Sequence, residues 1–144
     1  MYNQDTINLL KECNAGIKMG VNAIDQVLDK VKDEKFKEIL INNKERHQAL
    51  GSEAHKLLDK NSEDTKEPNA VASGMSWIKT NVMLAMDKND ATIANLITDG
   101  CHMGIKSLNR YLNQYSNSVD CAVNLTNRII KAEEDLAEEI KSYL

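Results

Sequence analysis

Apolar residues in this chain recur at alternating steps of three and four, and the rhythm holds over long runs. Ile7, Leu10, Ile17, Val21, Ile24, Leu28 and Val31 keep it, with Asn14 filling the one missing place. Only an α-helix, at 3.6 residues per turn, gathers such positions onto a single stripe. A second stripe follows almost at once: Phe36, Leu40, Asn43, His47, Leu50, Ala54 and Leu57, with Asp33 placed as its N-cap. So short a turn predicts that the two helices run antiparallel as a hairpin over residues 3–60.

Residues 59–69, DKNSEDTKEPN, are polar and hold the only proline, which predicts a loop. Beyond it Met75, Ile78, Val82 and Met86 keep helical spacing beside Trp77. They predict a short helix within a long connection, 61–89. Asp90 opens the next long helix, whose seam carries Ile97, Cys101, Gly104, Leu108, Tyr111 and Tyr115. The stretch SNS at 116–118 breaks it, and a last helix presents Ala122, Thr126, Ile129, Glu133, Leu136, Ile140 and Tyr143. The expected fold is all-α: one domain over 1–144, a four-helix bundle of two antiparallel hairpins, 3–60 and 90–144, with a short helix in the long crossover.

The rest of the composition narrows the class further. The chain has 144 residues, 4% of them aromatic, so its core must be aliphatic and helical. Its three cysteines, Cys13, Cys101 and Cys121, are widely spaced and form no Cys-x-x-Cys pair, which argues against a disulfide framework or a zinc ribbon. A reducing compartment is expected. No basic leader and no apolar run of membrane-spanning length is seen, so a cytoplasmic location and no membrane partner are predicted. A net charge of −4 and the lack of a basic stripe argue against nucleic acid.

One short motif occurs twice. Cys13, Gly16, Ile17 and Lys18 form Cys-x-x-Gly-Ile-Lys, and Cys101, Gly104, Ile105 and Lys106 form it again 88 residues later. The same displacement pairs Leu9 with Ile97 and Ile24 with Leu112, while His47 aligns with Glu133 at 86. An internal duplication of the hairpin is the reading. With these features the chain resembles the ferritin-like superfamily, whose bundles have two-hairpin symmetry. More narrowly it is similar to a bacterial ferritin-like family of unknown function with a Trp-containing connecting helix and a Cys-x-x-Gly-like turn on the third main helix.

That resemblance raises the question of iron. A di-iron carboxylate site takes one inward Glu from each of two helices and Glu-x-x-His from each of the other two. Here the corresponding segments are Lys44-Glu45-Arg46-His47 and Ile130-Lys131-Ala132-Glu133, and the seam near the repeated motif holds Cys and Gly rather than carboxylates. The iron chemistry of the superfamily does not carry over. What remains is a set of ionisable seam residues, costly to bury unless paired. The alternative site is therefore zinc or iron held by His47, Glu133, Cys13 and Cys101 if all four converge. Against it stand plainer roles: Cys13 and Cys101 as small apolar side chains, Gly16, Gly20 and Gly104 as points of close helix approach, and His47 hydrogen-bonded to Asn43, Asn14 or Glu133. His102 lies about 100° around the helix from Cys101 and cannot share its target.

No glycine-rich phosphate loop, nucleophile elbow or oriented Cys–His pair is present, so no enzyme activity and no cofactor are predicted. The leading reading is a non-catalytic ferritin-like bundle with degenerate di-iron ligands, structural or interacting with protein. A homo-oligomer or protein partner would dock on the connecting helix around Met75, Trp77 and Ile78. The alternative is a metal-binding or metal-dependent redox protein using the Cys/His/Glu set.

Overall fold

The computed structural model describes residues 2–60 and 89–144. The expected connecting helix, with Met75, Trp77, Ile78, Val82 and Met86, lies outside them. The described residues form four long helices, α1 (Gln4–Leu28), α2 (Glu34–Asp59), α3 (Asp90–Gln114) and α4 (Asp120–Ile140), and a final 3-10 turn at Lys141–Tyr143. No described residue is in a strand.

Three of the four helices start on a side-chain cap. Asn3, Asp33 and Asn89 accept from the backbone N–H of Thr6, Phe36 and Thr92, satisfying a donor that the first turn leaves open. Thr6 and Thr92 also donate their hydroxyls to Asn3 and Asn89, so α1 and α3 open with the same capping unit. Asp33 is the cap the sequence predicts. α3 opens at Asp90, as the sequence predicts, with Asn89 as its cap, and this leaves the Asp90 carboxylate free for other partners. It accepts from the backbone N–H groups of Lys32 and Asp33, each at 2.9 Å, and ties the α1–α2 turn to the head of α3. α1 itself ends at Leu28, so Val31, expected as its last seam residue, is buried from the turn instead.

The opposite end is stitched in a similar way. The backbone N–H of Asn117 donates to Asp5 at 3.1 Å, and that of Val119 donates to the Thr6 hydroxyl at 3.0 Å. α1 packs on α2 and α3 on α4, while α2 also packs on α4 and α1 on α3. Between α2 and α4, Arg46 meets Asp135 at 2.8 Å and Glu53 takes a two-pronged contact from Arg128 at 2.8 and 2.6 Å. Rising numbers on α2 meet falling numbers on α4, so these two are antiparallel.

The apolar stripes close into two clusters. One gathers Leu9, Leu10, Ile17, Leu50, Leu58 and Leu125, and the other Ile24, Phe36, Leu40, Ile93, Ile97 and Ile140. Asn43 and His47, both buried, and Glu133 stand on the stripes of α2 and α4 between these groups. A polar layer thus interrupts an otherwise aliphatic core, and burying it is tolerable only if its members are paired.

Candidate functional site

His47 is 1% exposed and has partners on both sides of its ring. Its Nδ1 lies 3.0 Å from the backbone carbonyl of Asn43, one turn earlier on α2. A carbonyl only accepts, so Nδ1 carries a hydrogen. Its Nε2 lies 2.7 Å from Glu133 Oε1 on α4. Burial alone would depress the His47 pKa, but the hydrogen bond and the charge of Glu133, together with the Asn43 carbonyl, outweigh it and raise the value above the ordinary one. The geometry suits an imidazolium donating from both nitrogens, one of them to a carboxylate.

Asn43 completes the layer. Its Nδ2 donates to the Ala132 carbonyl at 3.1 Å and links α2 to α4 just beside Glu133. Cys101, on α3, hydrogen-bonds Glu133 from another side. Its thiol is pushed far up, first by burial and then by the neighbouring carboxylate. It is held as the protonated thiol, the less nucleophilic form.

Cys13 goes elsewhere. Its sulfur lies 3.1 Å from the Thr126 hydroxyl, which itself donates to the Ala122 carbonyl at 2.8 Å. Burial pushes the Cys13 thiol up to about 12. A short α1–α2 turn alone would set His47 about level with Ile17, one turn from Cys13. In the structure Ile17 faces Gly51, and His47 lies against Gly20 instead, where an added Cβ would sit 3.4 Å from its ring. Gly20 is seven residues beyond Cys13, roughly 10 Å along the helix. That separation keeps the expected quartet from converging: His47 and Cys101 each contact Glu133, and Cys13 does not. No group of three or more His, Cys, Asp or Glu side chains able to hold a metal ion is formed among the described residues. As placed, both His47 nitrogens are engaged, by Asn43 and Glu133, and Cys13 stands apart from the other three residues of the expected set.

Four of the five described glycines, Gly16, Gly20, Gly100 and Gly104, line a cavity of about 370 Å³ between α1 and α3. They correct the expectation of close packing at Gly16: nothing lies within 4 Å of an added Cβ there, nor at Gly100. Gly20 and Gly104 both look onto Glu133. By surroundings, then, Gly16 matches Gly100 and Gly20 matches Gly104, a displacement of 84 residues rather than the 88 of the repeated Cys-x-x-Gly-Ile-Lys. The literal motif is one helical turn out of step with the structural echo. This explains why Cys13 and Cys101 occupy unlike places.

The cavity is walled mainly by apolar side chains such as Ile24, Leu96, Ile97 and Leu108, and His47, Asn43 and Glu133 also line it. Sequence reasoning missed it. The signal was the spacing Gly-x-x-x-Gly on both helices, which looks the same whether a neighbour or empty space fills the missing side chain.

No protein-family model matches the chain, and no curated protein or solved structure matches it. No described helix is long and apolar enough to cross a membrane.

Proposed function

We propose that this chain is a non-catalytic ferritin-like bundle of two hairpins joined by a crossover, with a structural or protein-interaction role. The observation that carries the reading is the His47–Glu133 contact at 2.7 Å. A di-iron bundle needs open ligands from all four helices at mid-core. Here the one histidine and the one carboxylate at that level neutralise each other.

The helix pairing supports the ferritin-like part. α1 packs on α2 and α3 on α4, and α3 starts beside the α1–α2 turn. In this order the end of α2 and the start of α3 lie at opposite ends of the bundle. Association through Met75, Trp77 and Ile78 belongs to the same reading, and sedimentation of the parent beside Trp77→Ala tests it by a change in assembled mass.

The decisive experiment is metal content. Protein purified anaerobically, exposed to iron(II) or zinc and desalted should retain far less than one equivalent, equally in the parent and in His47→Ala. Near-stoichiometric metal in the parent, absent from His47→Ala, would overturn the reading.

A further inference from the structure

The cavity between α1 and α3 has chemistry of its own, independent of any kinship with ferritins. Asn43 is 6% exposed and lines it, yet Asn43 Oδ1 has no hydrogen-bond partner among the described residues. The amide cannot simply be turned over, because Nδ2 is needed by the Ala132 carbonyl and an oxygen in its place would face another oxygen. A buried acceptor left open is uncommon and calls for a donor.

The Glu133 carboxylate provides a second acceptor on the same wall, and Glu12 is a further acidic lining residue. No lysine or arginine is among the described residues that line the cavity, and His47 already spends both ring nitrogens on Asn43 and Glu133. An anionic head group would be repelled by the Glu133 and Glu12 carboxylates. Apart from Ser107 and the Tyr111 hydroxyl the remaining wall is mainly apolar, and the volume falls within the range that small-molecule sites occupy.

The glycines bear on the same point. Glycine inside a helix costs stability relative to alanine, and at Gly16 and Gly100 no neighbouring atom would obstruct a side chain. Packing does not require glycine there. Both glycines are exposed and line the cavity, so they stand at its open edge, which side chains there would narrow.

We propose that the α1–α3 cavity binds a small apolar molecule ending in a hydroxyl or amine, whose hydrogens are accepted by Asn43 Oδ1 and the Glu133 carboxylate. The apolar body lies along Ile24, Ile97 and Leu108, and the donor end points to the polar layer.

Titration calorimetry on the full chain with four probes sharing one apolar body tests this. 1-Octanol and octylammonium carry donors, octyl methyl ether carries an acceptor only, and octanoate carries an anion. Saturable binding of one molecule of 1-octanol or octylammonium, at least tenfold tighter than the ether and octanoate, is the expected result; which of the two binds tells a neutral ligand from a cationic one. Gly16→Leu and Gly100→Leu, each narrowing the open edge of the cavity, should weaken that binding at least tenfold while helical content is kept. Failure of both donor probes to bind, equal binding of the ether or of octanoate, or binding unchanged in a folded Leu variant would overturn the proposal. The comparison among probes needs no variant, so it decides the matter even if both substitutions prevent folding.

Discussion

His47 Nε2 and Glu133 Oε1 stand 2.7 Å apart across the α2–α4 interface, 1% and 12% exposed in their side chains. Removing one member leaves the other charge in a poor solvent, whereas removing both leaves an apolar gap. Glu133→Leu and His47→Leu should each destabilise the fold by roughly 2–4 kcal/mol, and the double replacement should cost less than either alone. Glu133→Gln, which can donate to a neutral imidazole, should be the mildest change. Urea denaturation of the four variants checks the order; additive single costs would mean that the two side chains do not act as a pair.

Much of this was legible in the sequence, because the cause of the fold is a period. Leu10, Ile17 and Ile24 on α1, Phe36 and Leu40 on α2, and Ile129, Leu136 and Ile140 on α4 are buried as their spacing requires. A cross-bundle contact between His47 and Glu133 was also among the sequence expectations, since a buried ionisable seam residue needs a partner. What spacing cannot give is the relative height of neighbouring helices. A slip of one turn moved His47 from the level of Ile17 to that of Gly20, and that slip separates Cys13 from the cluster. Nor does a missing side chain say what replaces it: Gly51 has Ile17 against it, and Gly16 has nothing.

The glycine contrast gives a second test. Gly16→Ala adds a methyl group to open space and lowers the entropy of the unfolded chain, for a gain of about 0.5–1 kcal/mol. At Gly51 the same methyl would sit 3.1 Å from Ile17 Cγ2, so Gly51→Ala should be neutral or destabilising despite the same helical benefit. Melting temperatures moving in opposite directions would bear this out. A stabilising Gly51→Ala as large as that at Gly16 would contradict the close approach of α1 and α2.

Thiol chemistry separates the three cysteines. Cys13 and Cys101 are buried with raised pKa values, and Cys121 is exposed. Under native conditions at pH 8 a thiol reagent should label one cysteine rapidly, Cys121, and all three in denaturant. Peptide mapping of the labelled protein identifies the site. Rapid native labelling of Cys101 would show that the cavity wall opens far more than the structure implies.

Asp90 joins two parts of the bundle far apart in sequence, through two backbone N–H groups at 2.9 Å. Asp90→Ala strands both donors at the α1–α2 turn and should cost about 1–3 kcal/mol. The cap variants Asn3→Ala and Asn89→Ala should cost about 1 kcal/mol each, and similarly to one another, given their matching Thr contacts. Hydrogen exchange at Lys32 and Asp33 should accelerate in Asp90→Ala and stay unchanged in Asn3→Ala, which sits at the other end.

The charge state of His47 is the point on which the account turns. Its folded pKa is raised above the ordinary histidine value, so the stability it contributes is fully present below about pH 6.5 and is lost as pH rises through the folded value. The most direct measurement is nitrogen NMR of the His47 ring from pH 5 to 9, with and without zinc. Both ring nitrogens should remain protonated beyond the pH at which a free histidine has titrated, with zinc leaving them unchanged and folding stability falling as they lose a proton. A His47 that titrates below the ordinary value, or surrenders its Nε2 proton to zinc at neutral pH, would contradict the pairing with Glu133 and return the site to metal chemistry.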